Sequence, residues 1–518
     1  MLRIKSCFAV GALTAVLAGC GGGAGNEGVK APVNASGKKT RAGHMVDKEA
    51  ANDFTAALND FASADSKGEW SQDDCKRIAG EFMSASKKQE TATNKPLAEA
   101  QYDAGLAYQR CGMDSEALRS FEATLRTDAK FYRARVQLAL FEYQKTNNVD
   151  SAIAALEQII RDAQYQNVEA LVAVAALQME RNGDQSDSDG KDDLERAKKN
   201  LQRALAIDDA YMPAFNQLAI YYLELAKSKS EGATNRRRGR RRGLVVSGTR
   251  GADINEQMLD LAALVASQAI RKNPKYAPIH NTSGLIQVEL KNFNGAVKSF
   301  AMARSLDKGF FEAQMNYAAV NLSFRGFEEA EKAYEAALRL RPKEYEAHLG
   351  LALAIRGQIT MGNRDKLLPR AEKELAAAKK LEPDRPETYY NEAILTQEFK
   401  AKGASDEQKS IAMMESAIKQ YEDFVRKAGS DSSFAAAVKR SNERIQDMRD
   451  TIKFLKEGAE AREKAAAAAA AAPPKPTDSA GAAASSSAGA SGNGNNAEAA
   501  PPAATGGAAK DQAGAKQK

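Results

Sequence analysis

The sequence contains few of the residues that bind metals or form disulfide frameworks. Its 518 residues include three His, four Cys and one Trp. This scarcity argues against a structural metal site built from His or Cys, and the length excludes a small disulfide-stapled domain. Aromatic residues make up only 7% of the chain, and alanine dominates the apolar share. Such a composition favours helices packed through small side chains and disfavours a β-sandwich or β-barrel.

Long apolar runs are also missing, but the first twenty residues have the pattern of an export signal. Arg3 and Lys5 precede an apolar stretch, residues 7–17, that is too short to cross a bilayer as a stable helix. This stretch ends in the tetrapeptide Leu-Ala-Gly-Cys at residues 17–20. No later segment has eighteen consecutive apolar residues, so the sequence predicts no membrane-spanning helix.

The tetrapeptide resembles the lipobox of bacterial lipoproteins. This resemblance implies a signal peptide at residues 1–19, diacylation of Cys20 and cleavage before it; the alternative is a cysteine that ends a leader by chance. Two or more acyl chains anchor a protein stably. Gly21 rather than Asp follows Cys20, which by the lipoprotein sorting rule implies an outer-membrane, periplasm-facing location. Residues 20–46 lack periodicity and predict a flexible tether.

The middle of the chain repeats with a period of thirty-four residues. Small and aromatic residues recur at this spacing: Ala296, Phe300 and Ala303 are followed by Ala330, Tyr334 and Ala337. This period and these residue types resemble the tetratricopeptide repeat (TPR), in which small residues let two antiparallel helices approach and an aromatic fills the groove between them. We therefore predict an all-α fold, a TPR-type helical-hairpin solenoid of about eight repeats.

The repeat pattern divides the chain into segments. We predict a degenerate N-terminal helix pair at residues 47–97, the TPR solenoid at residues 98–430 and a long capping helix at residues 431–472. From residue 473 to residue 518 the chain consists mainly of Ala, Pro, Ser and Gly. This composition cannot bury a core and predicts a disordered tail.

Two insertions in the solenoid carry charge. The acidic one, residues 184–193, contains Asp187, Asp189 and Gly190, but its spacing lacks the first and last ligands of a calcium-binding EF-hand loop. The basic one, residues 228–255, carries a cluster of six arginines: Arg236, Arg237, Arg238, Arg240, Arg241 and Arg242. No aromatic residues interleave with them, which argues against nucleic acid. Acidic proteins, anionic lipid or cell-wall polymer remain candidate partners, and a solvated loop is the alternative.

Cys75 and Cys111 are the two cysteines of the predicted folded part. An even pair in an oxidising compartment favours a disulfide. Cys75 lies on the helix before the first clear repeat, and Cys111 lies at the turn within that repeat. A bridge between them would hold the amino-terminal end of the solenoid; two free buried thiols are the alternative.

The sequence predicts a protein that is not an enzyme and needs no cofactor. It contains no G-x-S-x-G, H-E-x-x-H or P-loop motif. His280 and His348 are sixty-eight residues apart, twice the repeat period, so they occupy one repeat position and are interpreted as packing residues.

TPR proteins bind partners along the concave faces of the first helices of their hairpins. The candidate groove residues at these positions are Tyr102, Gln109, Asn281, Met315, Leu349, Leu353 and Arg356. Chaperone-binding TPRs grip a terminal carboxylate with basic residues, whereas this chain has Glu99, Glu312 and Glu346 nearby. We therefore expect an apolar groove that buries side chains of a protein segment.

The combination of features narrows the expected function. The lipobox, the Ala-rich repeats, the segment YDAGLAYQRCG at residues 102–112 and the arginine-rich insertion resemble the TPR lipoproteins of myxobacterial adventurous gliding motility. This resemblance implies a non-catalytic scaffold that binds periplasmic and outer-membrane proteins of a trans-envelope gliding complex. Two alternatives are a pilotin-like or barrel-assembly lipoprotein and a cell-wall-associated envelope factor.

Overall fold

The structure is a computed structural model that describes residues 39–68, 70–184, 190–228 and 255–471. Within these ranges it contains nineteen α-helices, a π-helical segment at Thr396–Ala401, a 3₁₀ turn at Ser432–Phe434 and one isolated bridge between Lys39 and Met45. The α-helices are α1 (Lys48–Lys67), α2 (Gln72–Thr93), α3 (Ala98–Arg110), α4 (Asp114–Thr127), α5 (Tyr132–Thr146), α6 (Val149–Asp162), α7 (Val168–Arg181), α8 (Asp193–Ile207), α9 (Met212–Ser228), α10 (Glu256–Lys272), α11 (Ala277–Glu289), α12 (Phe293–Leu306), α13 (Phe311–Ser323), α14 (Phe327–Leu340), α15 (Tyr345–Gly357), α16 (Arg364–Leu381), α17 (Pro386–Leu395), α18 (Glu407–Ala428) and α19 (Ala435–Ala471).

The helices from α3 to α18 pair in chain order into eight antiparallel hairpins, so the predicted all-α helical-hairpin solenoid is confirmed. Helices α1 and α2 form a further pair before them. By compactness the chain divides into residues 1–456, which hold every hairpin, and residues 457–518, of which the described residues 457–471 are helical. We call the first helix of each hairpin A, the second B, and the connections A–B turns and B–A turns.

Local sequence signals begin many of these helices. The side chains of Asn148, Asp192, Asn255 and Asn292 each accept a hydrogen bond from a backbone N–H in the first turn of the B helix that follows. These side chains satisfy donors that a helix amino terminus otherwise leaves unpaired. These four B helices therefore begin where short polar residues interrupt the apolar pattern.

The A helices form an inner layer and the B helices an outer one. Every residue from Glu169 to Met179 is buried in the A helix α7, whereas the B helix α4 buries only Ala117, Ser120, Phe121 and Thr124. An A helix contacts its own B helix, the B helix before it and the neighbouring A helices. Its faces are therefore covered by other helices, while each B helix keeps a solvent-facing side.

The aromatic residues of the repeat pattern lie directly against A-helix glycines. A Cβ atom built on Gly284 would lie 2.5 Å from the ring of Phe300, and one on Gly350 would lie 2.2 Å from the ring of Tyr334. Both rings are fully buried. Glycine is required at these positions because the ring occupies the space of a side chain. The first contact positions α11 against α12 within one hairpin, and the second positions α14 against α15 of the next hairpin.

Several sequence-based predictions lie outside the described residues. These are lipidation at Cys20, the six arginines of residues 236–242, Asp187 and Asp189 of the acidic insertion, and the tail from residue 473. Among the residues that the structure does describe, we find no helix with the length and hydropathy needed to cross a membrane.

Candidate functional site

The candidate groove residues lie mostly inside the helical stack. Tyr102, Asn281, Met315 and Leu349 are at most 8% exposed, and Gln109, Leu353 and Arg356 are half-buried. An open concave groove would leave such side chains accessible to a partner. Here the A helices instead bury them against one another, because the inner layer is closely packed. Their role in binding stays a prediction.

The polar members of this set bond to the next A helix. Gln109 Nε2 donates to Gln137 Oε1 at 3.3 Å, and Asn316 Nδ2 donates to Asn281 Oδ1 at 2.9 Å. These hydrogen bonds satisfy polar groups that would be costly to bury alone. They hold neighbouring hairpins in register.

Arg356 makes the same kind of contact nearer the carboxyl end. Its Nη1 donates to Asn391 Oδ1 at 2.6 Å. Sequence reasoning did not identify Gln137, Asn316 or Asn391 as partners of the candidate residues. The only available signal was a polar residue about one repeat later on an A helix.

The glutamates expected to repel a carboxylate are themselves engaged. Glu312 pairs with Arg341 at 3.0 Å and Glu346 pairs with Arg385 at 3.2 Å. Glu99 accepts a hydrogen bond from the backbone N–H of Arg41 at 2.9 Å. The pairing arginines neutralise much of the negative charge of Glu312 and Glu346. Electrostatic repulsion at these two positions is therefore weaker than the sequence suggests.

A buried ionic cluster lies at the amino-terminal end of the inner layer. Arg133 pairs with Glu169 at 2.5 Å, and its guanidinium carbon lies 5.0 Å from the centre of the Tyr102 ring. Asp103 is 2% exposed, and neither of its carboxylate oxygens has a hydrogen-bond partner among the described residues. Burial raises the pKa of Asp103 to about 7, although Arg133 opposes this shift.

A second cluster at the carboxyl-terminal end is built around Arg385. Its guanidinium pairs with Glu346 at 3.2 Å and with Glu387 at 2.9 Å, and it lies 4.2 Å from the centre of the Tyr345 ring. Burial raises the pKa of Glu346 to about 7, while Arg385 lowers it. The two carboxylates and one guanidinium hold α15 and α17 together.

The described end of the predicted tether, residues 39–46, contacts the helices. Arg41 lies over the rings of Phe131 and Tyr132, with its guanidinium carbon 5.4 and 5.6 Å from the ring centres. Gln89 Nε2 donates to the backbone oxygen of Met45 at 2.8 Å. A fully flexible tether would make no such contacts, so its last eight residues form part of the folded surface.

A disulfide joins the helix pair α1–α2 to the first hairpin. The Cys75 and Cys111 sulfurs are 2.01 Å apart, and the two Cα atoms are separated by 6.4 Å, a distance within the range that disulfides require. The bridge therefore links α2 to the end of α3 across thirty-six residues of sequence.

A contact distant in sequence lies beside this bridge. The backbone N–H of Lys308 donates to the oxygen of Gly68 at 2.9 Å, joining the α1–α2 turn to the turn between α12 and α13. Arg110 pairs with Asp65 at 2.9 Å. Burial raises the pKa of both Asp65 and Asp307, and Arg110 opposes the shift at each. This contact, which we call the closure, connects the first helix pair to the fifth hairpin.

The two histidines at one repeat position hold B–A turns. His280 Nε2 donates to the oxygen of Pro274 at 2.8 Å, and His348 Nε2 donates to the oxygen of Pro342 at 3.0 Å. Gln314, at the same position of the intervening repeat, donates to the oxygen of Lys308 at 3.3 Å. The shared bond indicates a structural use of this position in all three repeats.

In the described part of the acidic insertion, the last carboxylate pairs with arginine side chains from the neighbouring helices. Asp193 pairs with Arg181 at 2.8 Å and also with Arg196, and it is fully buried. Within the described ranges, no group of three or more His, Cys, Asp and Glu side chains is arranged to hold a metal ion.

No protein-family model matches the chain, and no curated protein is similar to it in sequence. The chain is similar to a solved thermophilic TPR protein from Thermus thermophilus, with 23% identity over 43% of this chain and 99% of that chain and a TM-score of 0.34. It is similar to a TPR protein from Parabacteroides merdae, with 13% identity over 61% of this chain and 98% of that chain and a TM-score of 0.33. It is also similar to pilF from Pseudomonas aeruginosa, with 17% identity over 51% of this chain and 96% of that chain and a TM-score of 0.35. Similarity at these identities does not extend to function.

Proposed function

We propose that this chain is a non-catalytic, lipid-anchored scaffold that binds other proteins of a bacterial cell envelope. The observation that supports this proposal best is the two-layer stack itself. Its A helices are buried and joined to one another by polar contacts. The surfaces left for partners are therefore the solvent-facing sides of the B helices and the two rows of turns. Helical repeats use such extended surfaces to bind proteins.

We propose binding surfaces other than those expected from sequence. Because the candidate groove side chains are largely buried, we place partner binding on the outside of the stack rather than on the concave faces of the A helices. Exposed apolar residues are available there, including Leu264 and Met302 on B helices, at 50% and 45% exposure. Leu340 and Leu381, at 40% and 37%, lie at B–A turns.

Site-specific photocrosslinking in cells tests this placement. A photoreactive amino acid would replace Leu264, Met302, Leu340 or Leu381, one at a time. We expect at least one of these surfaces to capture a defined envelope protein, identified by mass spectrometry. A photoreactive residue at Gly458, in the separate unit, serves as the control. Capture of the same proteins from every position, Gly458 included, would contradict a specific scaffold surface.

Which cell-envelope complex contains the scaffold is a more specific proposal, and it is supported by the sequence resemblance alone. We propose the gliding motility complex. Deleting the gene should abolish single-cell gliding while leaving pilus-dependent movement and outer-membrane barrel abundance unchanged. Loss of pilus assembly or of barrels instead would favour the pilotin-like or barrel-assembly role, and sedimentation with peptidoglycan would favour a cell-wall role.

Lipid anchoring at the outer membrane is tested separately. We expect Cys20→Ala to move the protein from the outer-membrane fraction to the soluble periplasm, because the acyl chains would no longer be attached. Cys7→Ala is the matched control, since it removes a cysteine that lies outside both the lipobox and the disulfide. Unchanged outer-membrane fractionation of Cys20→Ala would contradict the proposal.

A further inference from the structure

One edge of the stack carries exposed apolar side chains at three consecutive A–B turns. Phe324 is 53% exposed and Leu290 40%, and Met361 at the following turn is 96% exposed. We call this set of side chains the turn ridge; its members are Leu290, Phe293, Phe324, Phe327, Ile359 and Met361. Single exposed apolar residues are common, whereas a connected series marks an interaction surface.

Contacts between hairpins connect the ridge. The Phe293 and Phe324 rings pack with their centres 4.6 Å apart, joining the turn of the fifth hairpin to that of the sixth. The Phe327 ring lies over Gly357, where a built Cβ would be 2.4 Å from it, and so reaches the seventh hairpin. These contacts link the turn of the fifth hairpin to that of the sixth, and the sixth hairpin to the seventh.

The first two turns of the ridge share an unusual backbone position. Lys291 and Arg325 have φ angles of 60° and 64°, in the left-handed region that favours glycine, and the turn of the first hairpin has Gly112 there. A side chain in this conformation carries a steric cost. A basic residue at both turns, despite this cost, indicates a use for the charge.

These two cations are available to a ligand. Both are exposed, and neither makes an ion pair with any residue that the structure describes. The acidic groups at this edge include Glu289, which pairs with Lys227, Asp365, which pairs with Arg364, and the exposed Glu328. Glu329 and Glu331 pair with Lys332 and Arg370. At the opposite edge the corresponding arginines, such as Arg341, are neutralised by glutamates.

The arginine-rich insertion leaves the described structure beside the ridge. The backbone N–H of Asn255, where the chain re-enters, donates to the oxygen of Ala226 at 3.2 Å. Lys227 lies 3.6 Å from Glu289, the residue that precedes Leu290 in sequence.

We propose that the turn ridge is the face with which this protein lies on a bilayer containing anionic lipids. The apolar side chains enter the headgroup region, while Lys291 and Arg325 pair with lipid phosphates. Aligned turn tips suit a flat interface, whereas a peptide ligand is usually held in a groove. This docking is independent of the proposed protein scaffold role, which uses the other surfaces.

A local fluorescent probe tests the proposal in the full chain reconstituted with lipid vesicles. An environment-sensitive fluorescent amino acid replaces Phe324, and in matched controls it replaces Met302 on the outer face or Leu340 on the opposite edge. Each probe reports only on its own surroundings. Attachment of the protein to the vesicle through another part of the chain therefore affects the signals of all three probes equally. In vesicles of phosphatidylethanolamine and phosphatidylglycerol, nitroxide-labelled lipids should quench only the probe at position 324. Equal quenching at all three positions, or none at 324, would overturn the proposal.

The charges are tested with Lys291→Gly combined with Arg325→Gly. Glycine relieves the left-handed backbone, so the melting temperature should not fall. The ratio of protein docked on the vesicle through the turn ridge to undocked protein should fall roughly fivefold for each charge removed. Added salt should weaken the docking of the unaltered chain. Undiminished quenching in the double variant, or a lowered melting temperature, would show that these cations do not serve a lipid surface.

Discussion

The two ends of the hairpin stack bury acidic side chains in different ways. At the carboxyl-terminal end, Glu346 and Glu387 share the guanidinium of Arg385. At the amino-terminal end, Asp103 is buried with no hydrogen-bond partner among the described residues. An unpaired buried carboxylate destabilises a fold, and this end also has a disulfide and the closure. The comparison indicates that covalent and long-range contacts offset a local cost at one end, whereas side-chain pairing suffices at the other.

Removing the disulfide should have the largest effect. Cys75→Ser with Cys111→Ser releases a loop of thirty-six residues, which should lower the free energy of unfolding by about 4 kcal/mol through the gain in unfolded-state entropy. Urea unfolding of the full chain measures this loss. Reductant should destabilise the unaltered protein similarly and leave the double variant unchanged. An equal response of both proteins to reductant would contradict the bridge.

The unpaired carboxyl of Asp103 offers a second test, in which the substitution should raise the free energy of unfolding rather than lower it. The folded-state pKa of Asp103, about 7, lies above its ordinary value of 3.8, so the folded protein binds more protons than the unfolded chain between these values. Stability should therefore fall as the pH rises through this window. Asp103→Asn should be more stable than the unaltered protein at pH 8, by roughly 3 kcal/mol, and the gain should shrink towards pH 4.

A paired carboxyl is the control for this test. Glu312→Gln weakens the contact with Arg341, which joins the start of α13 to the end of α14 at 3.0 Å. We expect it to lower the free energy of unfolding by about 1 kcal/mol. If Asp103→Asn were destabilising at pH 8 to a similar extent, the proposed difference between the two ends would be wrong.

The closure is tested by two glycines with nearly the same backbone conformation. Gly68 and Gly112 have φ angles of 63° and 64°, but only at Gly68 would a Cβ meet another atom, the oxygen of Leu306 at 2.6 Å. Gly112→Ala should cost about 1 kcal/mol from backbone strain alone. Gly68→Ala should cost about 2 kcal/mol, because the clash adds to the strain. Equal losses in chemical unfolding would mean that the closure contributes nothing.

The smallest expected effect concerns a single turn. His348 Nδ1 lies 2.7 Å from Glu374 Oε2, and this hydrogen bond is the main cause of a raised His348 pKa. A raised folded-state pKa stabilises the protein below the ordinary value, 6.5, and this contribution disappears as the pH rises through the raised value. His348→Gln should keep the turn bond, as Gln314 does, and lose under about 1 kcal/mol at pH 5.5. Thermal melts across this pH range should show no difference at high pH.

The repeating fold could be predicted in some detail because it depends on local and periodic features. The small and aromatic residues at intervals of thirty-four predict paired helices, and the structure has a fully buried Phe300 and Tyr334 at these positions. Short polar residues such as Asn292 begin helices by bonding to backbone groups a few residues away. Each of these interactions involves near neighbours in the chain, so the sequence displays both partners.

The candidate groove was harder to predict because its state depends on how far successive hairpins rotate. Sequence reasoning selected Tyr102 and Leu349 as accessible groove residues, and both are buried. The same reasoning treated Glu346 as a free charge, although Arg385, thirty-nine residues later, pairs with it. No local pattern identifies such a partner, because small rotations between hairpins decide which side chains meet.

The sequence by itself determined the helical hairpins, their number and the residues that pack within each one, because these depend on periodic side chains and short-range capping. Only the tertiary structure decided that the A helices bury one another, that Gly68 meets Lys308 across 240 residues of chain, and that Phe293 and Phe324 join into one exposed ridge. These features depend on the accumulated rotation of the hairpins, which no single repeat contains.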